Sequence, residues 1–153
     1  MSVIDGGTVI EGAHTREKQV RVQVTSAELL ALFATPISVL SAPGAGFAHI
    51  FKRATIAKPA GTAYAGIAGG EDLSFKYTNA SGLALAGCET TGFLDQTSVQ
   101  VREVFAYTQV SGISQITPVD NAAVVIHLLV AEIITGNTPL NIDIFYDTVR
   151  TVV

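Results

Sequence analysis

Short runs of alternating apolar and polar residues, each closed by a glycine- or proline-bearing turn, recur along most of this chain. At 73–78, Leu73, Phe75 and Tyr77 alternate with Ser74, Lys76 and Thr78. Successive side chains of an extended strand point to opposite faces, so this spacing predicts a strand with one buried and one wet face. Asn79-Ala-Ser-Gly82 follows at once and predicts a hairpin into a second strand over 83–87. Val20, Val22 and Val24 repeat the alternation against Arg21 and Gln23. Further strands are expected over 37–40, 47–57 and 98–110, with turns at Ser41-Ala-Pro-Gly-Ala-Gly46, Lys58-Pro-Ala-Gly61 and Gly92-Phe-Leu-Asp95.

Helix has little room in this pattern. Thr25 or Ser26 can cap a single helical turn over 28–32, and Pro36 forces Thr35 into extended geometry and ends it. The last third returns to strand. Residues 122–134 are dense in Val, Ile and Leu, and the Thr135-Gly-Asn-Thr-Pro139 turn behind them favours strand over helix. Leu140, Ile142 and Ile144 then alternate with Asn141 and Asp143, and the phase blurs at Phe145–Tyr146, where a bulge is expected. Roughly seven to nine strands with almost no helix make an all-β sandwich or jelly roll. Residues 18–153 form that one domain, and residues 1–17 lack either period and read as an extended N-terminal arm.

Composition bears on what surrounds the domain. Of 153 residues, 48% are hydrophobic, so a core is affordable and disorder is not expected. Charged residues make up only 14%, against a usual share of about a quarter. Part of the surface is therefore expected to lie under neighbouring subunits. The run over 122–134 is apolar on both faces. One face can enter the core while the other needs cover, which points to Val125, His127 and Leu129 as an oligomer interface. In the arm, Val3, Ile4, Val9 and Ile10 are the candidates for contact with a partner. The net charge of −4 and the scatter of nine basic residues argue against nucleic acid. The run over 122–134 falls short of the roughly twenty apolar residues of a membrane helix. No secretory leader is evident in residues 1–10, so synthesis in a cytoplasm is expected.

No catalytic, cofactor or metal set emerges. A serine elbow of the form Gly-x-Ser-x-Gly is missing. Pro43-Gly-Ala-Gly46 is followed by Phe47 and a strand, whereas a phosphate loop needs Gly-Lys-Ser/Thr and a helix. His14, His49 and His127 have no ligand spacing, and His49 and His127 read as hydrogen-bonded strand residues. Cys88 is alone and reads as a small buried hydrophobe. Glu71–Asp72 reads as a solvated loop pair, with calcium binding as the alternative. Asp143 and Asp147 share one strand face, which fits either an acid–base pair or an exposed polar face.

Four stretches carry a resemblance: Ala34-Thr-Pro-Ile-Ser-Val-Leu-Ser-Ala-Pro-Gly-Ala-Gly46, Gly61-Thr-Ala-Tyr-Ala65, Leu73-Ser-Phe-Lys-Tyr-Thr-Asn-Ala-Ser-Gly82 and Gly92-Phe-Leu-Asp95. In this order they resemble small β-rich virion proteins of tailed bacteriophages, of the head decoration, head-fibre and tail-associated types. The resemblance covers roughly residues 26–95 and departs from the family at Phe47, where a basic residue is usual, and at Lys58–Pro59. It implies a sandwich or jelly roll, a virion location on the outer surface of the head, and no enzymatic activity. The implied role is a capsid decoration protein, a homotrimer bound to the major capsid protein. The alternative is a tail, neck or head-fibre component, a role that extends to contact with a host surface glycan.

Overall fold

The computed structural model describes residues 17–107 and 116–152. Its elements, in chain order, are β1 (Lys18–Val24), α1 (Ser26–Leu30), β2 (Ile37–Leu40), β3 (Phe47–Lys58), β4 (Asp72–Tyr77), β5 (Ala84–Glu89), β6 (Gln100–Phe105), β7 (Val124–Leu128) and β8 (Leu140–Arg150). The strands form two antiparallel sheets, ordered β1-β8-β3-β6 and β2-β7-β4-β5. The pairs β1–β8, β2–β7, β3–β6 and β4–β5 are nested, as in one long antiparallel ribbon folded back at the β4–β5 turn and rolled up. Apart from that hairpin, every connection between consecutive strands crosses from one sheet to the other. This order is the eight-stranded jelly roll, so the all-β fold expected from the alternation is the observed one.

The core lies between the sheets and draws on the inward positions of nearly every strand. Val24, Ile56, Leu140, Ile142 and Ile144 come from one sheet, and Leu73, Phe75, Tyr77, Val124, Ile126 and Leu128 from the other, all buried. The Phe51 and Phe75 rings meet between the sheets with centroids 4.9 Å apart. Each such side chain contributes about 1.5–3 kcal/mol when fully buried. The β4–β5 turn shows why the sequence needs glycine there. A Cβ on Gly82 would stand 1.6 Å from the Tyr77 carbonyl oxygen.

The helical turn is capped by Thr25, whose hydroxyl accepts the Glu28 N–H at 3.2 Å while Glu28 accepts the Thr25 N–H at 2.8 Å. This reciprocal capping box satisfies two orphan donors and sets the helix at Ser26–Leu30, slightly earlier than expected.

Three expectations are corrected. The expected bulge near Phe145–Tyr146 sits on the partner strand: Phe51 pairs with Tyr146 and Arg53 with Phe145, which leaves Lys52 as the extra residue. β8 itself stays in phase. The apolar run at 122–134 is strand only over Val124–Leu128. Beyond it, the N–H groups of Leu129, Val130 and Ala131 all turn onto the Glu71 carboxylate. Consecutive N–H groups of a strand point in opposite directions, so three on one acceptor require a curled backbone. The strand expected over 98–110 is observed as β6, Gln100–Phe105, and residues 108–115 lie outside the described residues. So does the arm apart from Glu17, with Val3, Ile4, Val9, Ile10 and His14 in it.

Candidate functional site

Strand directions gather four connections, 25–36, 59–71, 90–99 and 129–139, at one end of the sandwich. There Val24 pairs with Leu140, Lys58 with Gln100, Leu73 with Leu128 and Asp72 with Glu89. A loop end built from long connections is ordinarily the mobile part of a β-sandwich. Here the loops are bonded to one another. Gly61 N–H donates to the Thr97 carbonyl at 2.9 Å, Tyr64 N–H to Leu94 at 2.9 Å, and Thr62 N–H to the Asn137 side chain at 3.0 Å. Ala65 and Thr135 form a β-bridge, and the Tyr64 hydroxyl donates to the Thr138 carbonyl.

Two carboxylates and one ammonium complete the network. Glu71 is 1% exposed, and its carboxylate accepts Leu129 N–H at 2.7 Å, Val130 N–H at 3.0 Å and Ala131 N–H at 2.7 Å. Glu132 reaches the other way and accepts the N–H groups of Phe33 and Ala34, each at 3.1 Å. Lys58 is buried at the end of β3 and donates to the Gln96 carbonyl at 2.6 Å. Its burial pushes the ammonium below its ordinary value, with Asp95 pulling the other way. A buried charge is tolerated when hydrogen bonds replace its water, and Glu71 and Lys58 meet that condition.

On this bonded frame sit exposed apolar side chains. Ile134 is 73% exposed, and Phe33, Leu129 and Val130 are exposed beside the two glutamates that fix their backbones. Ile134 lies over Gly66, where φ is +77° and an added Cβ would stand 2.5 Å from Ile134 Cγ1. The isoleucine side chain thus occupies space that only glycine leaves open, and its N–H donates to the Ala65 carbonyl at 3.0 Å. Loops whose backbones are already bonded avoid part of the ordering cost of association. Exposed apolar side chains carried on loops whose backbones are bonded in this way suit contact with another protein surface.

The residues singled out from sequence fall in different places. Val125 and His127 are each 5% exposed, on the face of β7 turned away from the core, so that face is already covered within the chain. The Phe33 ring stacks on His127 with centroids 5.7 Å apart. Leu129 is 39% exposed and belongs to the loop patch. His49 is a bonded wall residue: its Nε2–H donates to the Ser41 carbonyl at 2.8 Å and its Nδ1 accepts from the Thr148 hydroxyl at 3.2 Å. Cys88 is buried in the core cluster, where desolvation pushes its thiol up to about 11. Asp143 and Asp147 share the expected outward face but are paired separately, Asp143 with Arg21 at 2.7 Å and Asp147 with Lys52 at 3.0 Å. Glu71 is neither a solvated loop charge nor part of a metal cluster. Among the described residues no group of three or more His, Cys, Asp or Glu could hold a metal ion.

Sequence reasoning missed Ile134, Val130 and Phe33 as exposed residues and Glu71 as their support. The signal available for Ile134 was Thr135-Gly136 directly behind it, which marks a chain leaving the strand. Among the described residues no helix is long and apolar enough to cross a membrane. No protein-family model, no curated protein and no solved structure matches the chain.

Proposed function

We propose that this chain is a structural protein of a tailed-bacteriophage virion that decorates the outer surface of the head, seating its bonded loop end on the major capsid protein. The observation that carries the docking role is Ile134, a large apolar side chain left mostly in water on a backbone whose N–H is bonded to the Ala65 carbonyl. Phe33, Leu129 and Val130 extend the patch. The low share of charged residues, 14%, supports a surface made to be covered. The virion setting is supported by the resemblance across residues 26–95.

The double substitution Ile134→Asp with Val130→Asp tests the reading. Both side chains are exposed, so the variant is expected to keep its β circular dichroism and thermal midpoint. Binding to undecorated heads should weaken by at least about tenfold, the loss expected when apolar burial gives way to buried unpaired charge. Unchanged binding would remove this end from the docking role. Imaging of bound particles then counts copies: on the order of hundreds places the protein on the shell, while about six or twelve moves it to the neck or tail.

A further inference from the structure

His127 joins the two loops that carry the apolar patch. Its Nε2–H donates to the Phe33 carbonyl at 3.1 Å, and its ring stacks on the Phe33 ring. Two residues further on, Leu129 begins the turn that Glu71 holds. The other ring nitrogen, Nδ1, is buried and has no hydrogen-bond partner among the described residues. Ser74, its directly opposite neighbour on β4, does not fill that place, because its hydroxyl donates to the Ala86 carbonyl at 3.4 Å. A neutral imidazole with its proton on Nε2 fits this setting at the modest cost of one idle acceptor. An imidazolium does not fit, because it adds a second N–H where no acceptor stands.

We propose that His127 is a pH-sensitive joint of the loop end: its protonation strands a buried Nδ1–H that reaches water only if the ring leaves its place against Phe33, and that displacement loosens the segments at Phe33–Ala34 and 129–131. The charged groups facing it are Lys76 on β4, Glu71 before β4 and Glu132 after β7. Lys76 opposes protonation. The two carboxylates favour it, but both are engaged with backbone N–H groups of the very loops in question. Burial is the largest influence and holds the imidazole below its ordinary value of 6.5, with Lys76 adding to it and the Phe33 carbonyl, Glu71 and Glu132 opposing. A group held below its unfolded value contributes stability that is complete above about pH 6.5 and is lost as pH falls through the folded value. Acid therefore loosens the end. The loosening stands on the geometry alone, while its effect on attachment rests on the docking role proposed above.

The test follows the backbone amides of Phe33, Ala34, Leu129, Val130 and Ala131 by NMR in the full chain, from about pH 7.5 to about pH 5. Hydrogen-exchange protection is compared between the wild-type chain and His127→Gln at each pH, so that intrinsic exchange cancels. Glutamine keeps a donor and does not titrate. Relative protection of these five amides should fall about tenfold in the wild-type chain toward acid, the effect of one stranded buried donor. In the wild-type chain alone, the same amide shifts should titrate with the midpoint of the His127 ring. Amides that do not follow the His127 ring would overturn the proposal even if His127→Gln failed to fold. Head binding is read in parallel. Amide release without binding at any pH would sink the docking role and leave the joint standing. Binding at neutral pH with unresponsive amides would do the reverse.

Discussion

Glu71→Gln changes almost nothing in shape and removes one acceptor oxygen at the centre of the loop end. In the wild-type chain Leu129 and Val130 both donate to Oε1, and Ala131 donates to Oε2. The amide of glutamine can keep at most one of these sets, and its NH2 group then faces the other. The arrangement that loses least keeps Leu129 and Val130 bonded and leaves the Ala131 N–H against another donor. One charge-assisted bond disappears and one donor is stranded, while the cost of holding a buried charge is relieved. The balance is a destabilisation of about 2–4 kcal/mol. For a chain of 153 residues each kcal/mol corresponds to about 2–4 °C, so the thermal midpoint should drop by about 4–16 °C. Urea unfolding of both proteins, with the slopes compared, measures the difference directly. An exposed glutamate changed to glutamine ordinarily shifts stability by less than about 0.5 kcal/mol. A result in that range would refute the assignment of Glu71 as the anchor of residues 129–131.

Two more substitutions probe the frame. Gly82→Ala places a methyl group against the Tyr77 carbonyl and should destabilise the β4–β5 hairpin by more than about 2 kcal/mol, read as a lower urea midpoint; an unchanged midpoint would show that the turn has room to shift. Cys88, with its thiol held up to about 11 inside the core cluster, should stay unreactive toward a thiol reagent at about pH 8 and react at the rate of unfolding, so stoichiometric labelling of the folded chain within minutes would contradict its burial.

The loop end and the jelly roll divide the work between them. Nested pairing brings four connections that are distant in sequence to one end, and the core beneath them is continuous across both sheets. That places Glu71, Lys58 and Glu132 where each can hold a neighbouring loop rather than its own. The outer face of the sheet containing β1 and β8 is mixed, with paired charges beside Val101 and Phe105 of β6, which are exposed. Arg21 binds Asp143 through two parallel bonds, and Arg53 lies 3.6 Å over the Phe145 ring while meeting Glu103. Charges paired in this way keep a wet face soluble and contribute little to stability.

Most of the strand pattern was legible because alternation is a local property. An extended backbone turns each side chain to the opposite face, so Val20, Val22 and Val24 or Leu140, Ile142 and Ile144 declare their strands without help from the rest of the chain. The same holds for Thr25 and Glu28, whose capping box needs only three residues, and for the 79–82 turn. The end of β7 was not legible. Leu129 to Ile134 continue the apolar run without a break, and what curls them is a carboxylate 58 residues away from Leu129. Nor could sequence show that Phe33 covers His127, a contact across 94 residues. By itself, then, the sequence determined an all-β chain, its turns and most of its inward faces, because these follow from backbone geometry over a few residues. Tertiary structure alone decided the nested strand order, the internal cover of β7 and the exposure of Ile134, because each depends on which distant group arrives to satisfy a buried N–H or to leave an apolar side chain uncovered.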